Sequence, residues 1–230
     1  MTELKDLVRT ERLAFIDLLK TLTEDQWRTP SLCSAWTVEN VAAHLAWAPV
    51  AGPLEMAPAA LRAGFRTNRL IADSAVRWTA RGRPAIFDQL RRNVESDAKP
   101  LGMPPVAALT DAVVHGLDVR RALGLPGQVP VESLGPLSDF TLGTPWPINA
   151  VVGGSARRRV AGVRLVATDT DWSHGEGPDV QAPPRPCCCS STGARRVPTS
   201  SQVRVRRLFS PASNAQRPRK GRRRTACHPW

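Results

Sequence analysis

Apolar residues in the first half of the chain recur at helical rather than strand spacing. Between Leu4 and Leu22 they fall at Leu7, Val8, Leu13, Phe15, Ile16, Leu18 and Leu19, one face of an amphipathic helix of about five turns. Thr23, with Gln26 three residues on, has the form of a capping box and opens a short helix ending near Trp27. The run from Thr29 to Trp36 interrupts the period with Pro30 and small polar residues, which predicts a loop. Thr37 is placed to cap the next helix, whose apolar side holds Val38, Val41 and Leu45 and which Pro49 and Pro53 are expected to close. Pro58 to Arg81 reads as one long helix with Pro58 in its first turn and Gly82 as its stop, and Pro84 to Ser96 continues helically. Pro104 and Pro105 start the last major helix, which ends across Gly124 to Gly127. Four principal helices joined by short to moderate connections predict a mainly α bundle over residues 1–128.

Beyond residue 128 the pattern changes. Val131 to Leu142 predicts one more short helix, and Arg159 to Thr168 alternates with β-branched residues as a strand does. Residues 169–178 read as a turn, and Asp179 to Ala182 as a return strand, so residues 129–183 predict a small, incomplete α/β appendage. Residues 184–230 are rich in Arg, Pro and Ser, show no sustained period, and predict a disordered tail that cannot bury enough apolar surface to offset its ordering entropy.

Charge divides the chain at the same place. The formal net charge is +12, from 32 Lys and Arg against 20 Asp and Glu. Residues 184–230 contain 12 of the basic residues and no acidic one, so the first 183 residues carry 20 of each sign. The body is neutral and offers no electrostatic case for nucleic acid; the tail would bind polyanions without specificity. Four of the five cysteines also lie in the tail, at Cys187, Cys188, Cys189 and Cys227, which leaves Cys33 alone in the body and no disulfide framework there. No apolar run approaches the roughly 18–20 residues of a membrane span, and the N-terminus is charged and helical rather than signal-like, so the cytoplasm is the expected compartment.

Three side chains carry candidate chemistry. Asp111 and His115 are spaced by four on one helix, which puts carboxylate and imidazole on the same face one turn apart. His44 lies about seventy residues earlier on a different helix. If the two helices pack together, two nitrogens and a carboxylate can converge on a divalent metal and leave positions free for water, a thiol or a substrate. Each part also has a plainer reading: His44 as a hydrogen-bonded core histidine, and Asp111 with His115 as a simple i,i+4 pair. Asp118 shares the face of Asp111 and His115 and is placed to accept an imidazole N–H; a solvated carboxylate is the alternative. Asn40, one turn before His44, is a weaker candidate for the same task. No residue beyond the metal ligands is assigned a catalytic part. Arg120 and Arg121 fit best as an exposed pair favourable to the helix C-terminus. Cys33 fits better as a small buried side chain than as a ligand, and Trp27, Trp36 and Trp47 as core. Asp169, Asp171, His174 and Glu176 alternate with glycines and fit turn chemistry better than a metal site.

Three stretches, Glu11 to Trp27, Pro30 to Leu45 and Asp111 to Gly124, resemble the mycothiol-dependent maleylpyruvate isomerase family, within the DinB-like metal-binding helix bundles. Gly162 to Pro178 is similar to that family's small C-terminal domain. The resemblance implies a four-helix DinB-like bundle with its metal ligands on His44, Asp111 and His115, where the acidic position is Glu in some members. It implies zinc as the usual cation, mycothiol as a thiol cosubstrate, and isomerase or transferase chemistry on an electrophilic small molecule. A metal-binding bundle without activity, degenerate or regulatory, is the second reading. The similarity stops at Ala182. The run Pro184 to Cys189 is what codons for Glu-Ala-Leu-Leu-Leu yield when read one nucleotide out of phase, which motivates the hypothesis of a frame shift near residue 183. Resequencing decides it, and an intact frame with peptides from the tail would remove it.

Overall fold

Helical periodicity becomes helical structure in a computed structural model that describes residues 3–33, 36–145, 148, 156–168 and 170–182. The body consists of α1 (Leu4–Lys20), α2 (Glu24–Arg28), α3 (Val38–Trp47), α4 (Pro53–Arg62), α5 (Thr67–Thr79), α6 (Gly82–Glu95) and α7 (Pro105–Ala122). Both predicted threonine caps form. Thr23 Oγ1 accepts the Gln26 N–H at 3.3 Å and Gln26 Oε1 accepts the Thr23 N–H at 2.9 Å. At α3, Thr37 Oγ1 accepts the Asn40 N–H at 3.3 Å and Asn40 Oδ1 accepts the Thr37 N–H at 3.0 Å.

The single helix expected over Pro58 to Arg81 is instead α4 and α5. Gly64 adopts φ +61°, its N–H donates to Leu61 O at 3.0 Å, and the Phe65 N–H donates to Ala60 O at 2.9 Å. Those two bonds are a Schellman cap, which ends α4 at a residue whose missing Cβ makes the left-handed conformation cheap. Pro53, read as a stop for α3, occupies the first turn of α4, and Pro58 lies inside that helix. The helix α7 ends in the same motif at Gly124, with the Leu125 N–H on Arg120 O at 2.7 Å.

The bundle packs α1 against α6 and α7, while α3 lies among α5, α6 and α7. Its core includes Phe15, Leu19, Trp27, Trp36, Val41, Trp47, Ile86 and Val119, so the three tryptophans are core residues. A polar tie crosses this apolar interior. Asn93 Nδ2 on α6 donates to the C-terminal carbonyls of α3, at 3.2 Å to Leu45 and 2.9 Å to Ala46. The backbone carbonyl of Asn93 accepts from Arg12 Nη1 of α1 at 2.6 Å. Each of these groups is buried and each finds a partner, as low polarity around it requires.

Past the bundle come α8 (Val131–Gly143), the short α9 (Ala156–Arg159) and a three-stranded sheet of β1 (Arg164–Ala167), β2 (Ser173–His174) and β3 (Asp179–Ala182). Val129 and Leu137 pack on Val8, Leu109 and Val113 of the bundle, and Leu142, Val160 and Val163 form a separate small core. Two expectations are corrected here. The predicted strand begins at Arg164, because Gly162 at φ +80° ends the helical turn only then. The order is β2–β1–β3, and β3 runs parallel to β1. The antiparallel reversal belongs to β2, and Gly175 and Gly177, at positive φ against the backbone of Gly162 and Val163, turn the chain a second time. Among the described residues no helix is long and apolar enough to cross a membrane. The tail over which disorder and a frame shift were expected lies outside the described residues.

Candidate metal centre

Two helices present the three expected donors to one point. His44 stands in the last turn of α3, while Asp111 and His115 stand one turn apart in the middle of α7. His44 Nε2 is 3.4 Å from Asp111 Oδ2, and His115 Nε2 is 3.5 Å from Asp111 Oδ1. The imidazole centroids are 4.9 Å apart, edge to face, and one donor atom from each of the three residues lies within 4.8 Å of the others. A tetrahedral ion with N and O ligands at 2.0–2.1 Å separates them by about 3.3 Å. The residues present therefore fit a small divalent cation in donor type and in spacing.

Burial makes the cluster asymmetric. The His44 and His115 side chains are 7% and 0% exposed, whereas that of Asp111 is 21% exposed. Solvent therefore reaches the donors from the Asp111 side. The indole of Trp36 closes another side, with ring centroids 5.0 Å from His44 and 5.8 Å from His115. Nδ1 of His44 is buried without a hydrogen-bond partner among the described residues.

Charge at the site follows from these neighbours. Burial pushes the Asp111 carboxyl up, but His44, His115 and the guanidinium of Arg12 more than reverse this and hold it below the ordinary 3.8. Burial pulls the His115 imidazole down, while its acidic neighbours Cys33, Asp118 and Asp111 raise it well above 6.5. Burial, more than any neighbour, raises the Cys33 thiol above its ordinary 9.0.

Around the three donors the outcome differs residue by residue. Asp118 is buried with Oδ2 3.4 Å from His115 Nδ1, the nitrogen opposite the one that faces Asp111. Asn40 is engaged elsewhere: its amide completes the cap of α3 and donates to Thr79 Oγ1 at 3.3 Å, because its place at the third helical position aims it at the backbone of Thr37. Arg120 lies beside Glu11 of α1, partly buried in the last turn of α7. His174 stacks on Trp172 at 6.2 Å, and Asp171 and Glu176 form no donor cluster with it among the described residues; Asp169 lies outside those residues.

Three neighbours escaped the sequence reading. Cys33 is buried, as the preferred reading has it, but it also touches both Asp118 and His115, a contact the sequence does not signal. Trp36 serves the core and also walls the imidazoles. Arg12 sits on the apolar stripe of α1 with Val8, Phe15, Ile16 and Leu19, and is itself 8% exposed. An arginine at i+4 from Val8 was the one available signal, since a cation on a buried face needs acceptors within the fold.

Fold and donors together define a helix-bundle protein with a cluster of potential metal ligands between two helices. Residues 8–120 match the family model of the mycothiol maleylpyruvate isomerase N-terminal domain, and a DinB-like helical domain fits the body of this chain. No curated protein and no solved structure matches the chain significantly.

Proposed function

We propose that the protein binds one divalent cation, zinc by preference, through His44, Asp111 and His115, and uses it with a low-molecular-weight thiol to attack an electrophilic small molecule. The observation that carries this reading is the convergence of three donors from two helices beside an opening at Asp111. Two neutral imidazoles and one carboxylate suit zinc, and they leave a bound dication with net positive charge, which favours an anionic fourth ligand. Such a cation supplies a Lewis acid that holds a thiol without its proton at neutral pH, so that it is a nucleophile. The chain's own residues bind and orient: His44 and His115, with Arg12 adding to them, favour the ionised Asp111, Asp118 accepts at His115 Nδ1, and Trp36 excludes water from one face. Mycothiol is the thiol that the family name indicates, and isomerisation or transfer is the reaction class, in the cytoplasm, with no specific nucleic-acid partner and no membrane partner.

Metal analysis of the purified protein against H44A and H115A tests the centre. Near-stoichiometric metal that is lost in both variants is the expected result, and unchanged content in either removes that residue as a ligand. Turnover of an electrophile only when mycothiol is added distinguishes the enzyme from a bundle that merely holds metal.

A further inference from the structure

His115 belongs to two donor groups through its two nitrogens. Nε2 faces Asp111 and His44, while Nδ1 faces a second set of buried groups on the far side of the ring, Cys33 and Asp118. The second set forms a small triangle: Cys33 Sγ to Asp118 Oδ2 is 3.2 Å, Asp118 Oδ2 to His115 Nδ1 is 3.4 Å, and Cys33 Sγ to His115 Nδ1 is 3.5 Å. Cys33 is 2% exposed, Asp118 6% and His115 0%, so water does not compete for these bonds. A neutral imidazole carries one N–H and one lone pair, and whichever nitrogen keeps the proton denies it as a ligand to the other side.

What makes Cys33 more than filler is where its backbone is anchored. Its N–H donates to Ser31 Oγ at 3.1 Å, and its carbonyl accepts the Trp36 N–H at 3.0 Å. The Ser31 N–H closes the same loop on Trp36 O at 2.8 Å, and Pro30 bridges to Thr37, the cap of α3. The described residues before the His44 helix, Pro30 to Cys33 and Trp36, are thus tied to one another, and the cysteine reaches across to the other ligand helix. Among the described residues the partners of Asp118 are that thiol and His115. A carboxylate with one donor on its own helix is free to rotate about its terminal bond. A second donor from a different element holds Oδ2 in place.

We infer that Cys33 is a positioning residue for the metal centre: its S–H fixes Asp118, and Asp118 keeps the proton on Nδ1 of His115 so that Nε2 offers its lone pair to the cation. This rests on the proposed metal reading. It also ties the α3 side of the centre to α7 through one thiol, and it makes a loop residue with no ligand role decisive for the aim of a ligand. Outer partners of this kind change metal affinity by about 10–100-fold when removed.

The test uses the full-length protein, stripped of metal and titrated with cobalt(II) and zinc, as wild type, C33A, C33S, D118N and H44A. Nitrogen-detected NMR follows the exchange protection of the His115 Nδ1 proton, and circular dichroism checks that each variant is folded. The expected result is cobalt affinity reduced about tenfold or more in C33A and D118N, with much of it regained in C33S, whose hydroxyl still donates. Loss of Nδ1–H protection in C33A and its return in C33S accompany this. The wild-type cobalt spectrum is expected to lack a thiolate-to-cobalt charge-transfer band. Such a band makes Cys33 a ligand and overturns the inference, as does a C33A protein with wild-type affinity and protection. If the wild type holds no metal, or H44A holds as much as it does, the failure lies with the proposed centre. The NMR measurement on C33A then decides the clamp alone: lost protection keeps it, and retained protection removes it. Should C33A not fold, C33S and D118N give the same two readouts.

Discussion

At the level of single residues the centre is governed by where protons sit. In the metal-free protein the raised His115 favours imidazolium, because its acidic neighbours, Cys33 first and then Asp118 and Asp111, outweigh burial. A raised folded value stabilises the fold below the unfolded value of about 6.5, and that stabilisation is lost as pH climbs through the folded value. Metal reverses the preference, since it needs the neutral ring. Zinc affinity is therefore expected to rise with pH above 6.5 by about tenfold per unit for each proton displaced, and to level off once pH passes the folded value of His115. Titration of the stripped protein with zinc at several pH values measures this, and an affinity flat across that range contradicts the assigned direction. Asp111 contributes in the opposite sense. Its lowered value adds stability above about 3.8, lost as pH falls through the folded value, so the carboxylate is already ionised wherever zinc competes. Asp111→Asn keeps the shape and removes the charge. It is expected to lower zinc affinity by at least tenfold, read by the same titration, on the scale of one lost charge-assisted ligand.

The elements that carry these residues were legible to different depths. The two threonine caps were visible because Thr23 with Gln26, and Thr37 before an apolar run, state their geometry locally, whereas the part of Asn40 in closing the second box was not. The break at Gly64 was not, because a glycine inside an apolar period fits both a tolerated interior position and a left-handed cap; only the carbonyls of Ala60 and Leu61, satisfied from beyond the turn, decide it. For the same reason β3 could be placed in sequence but its direction could not, since direction depends on how far β2 has carried the chain. Asp111 and His115 were readable as a pair from spacing alone. The meeting of that pair with His44 required packing of α3 against α7, and the part of Cys33 required a loop whose course no periodicity describes. Two substitutions separate local from tertiary contributions. Gly64→Ala meets open space around the new Cβ, so its cost is backbone strain alone, roughly 1–2 kcal/mol. Asn93→Ala strips donors from two buried carbonyls at the end of α3 and is expected to cost about 1–3 kcal/mol for each group left unsatisfied. Urea denaturation with an unchanged m-value measures both, and a smaller loss in N93A than in G64A would remove Asn93 as the tie that sets the His44 helix.

Across the whole molecule, chemistry and charge occupy separate stretches. The donors, the Arg12–Asn93 tie and the loop of Cys33 all lie between residues 12 and 118, within the span matched to the family, where acidic and basic side chains are nearly balanced. The excess positive charge lies beyond residue 183. Phosphate binding by such a run follows counterion release and not sequence, so its strength falls steeply with salt and is indifferent to the identity of the polyanion. A chain ending at residue 183 is therefore expected to keep its cobalt or zinc stoichiometry and to lose affinity for heparin and for single-stranded DNA together. Column retention on heparin, with a metal titration of the same sample, reads both properties. Metal lost along with the tail would mean that residues 184–230 support the centre, and the division of labour drawn from charge alone would fail. Retained polyanion binding would place a basic surface on the neutral body, against the even count of 20 positive and 20 negative residues that argues for none.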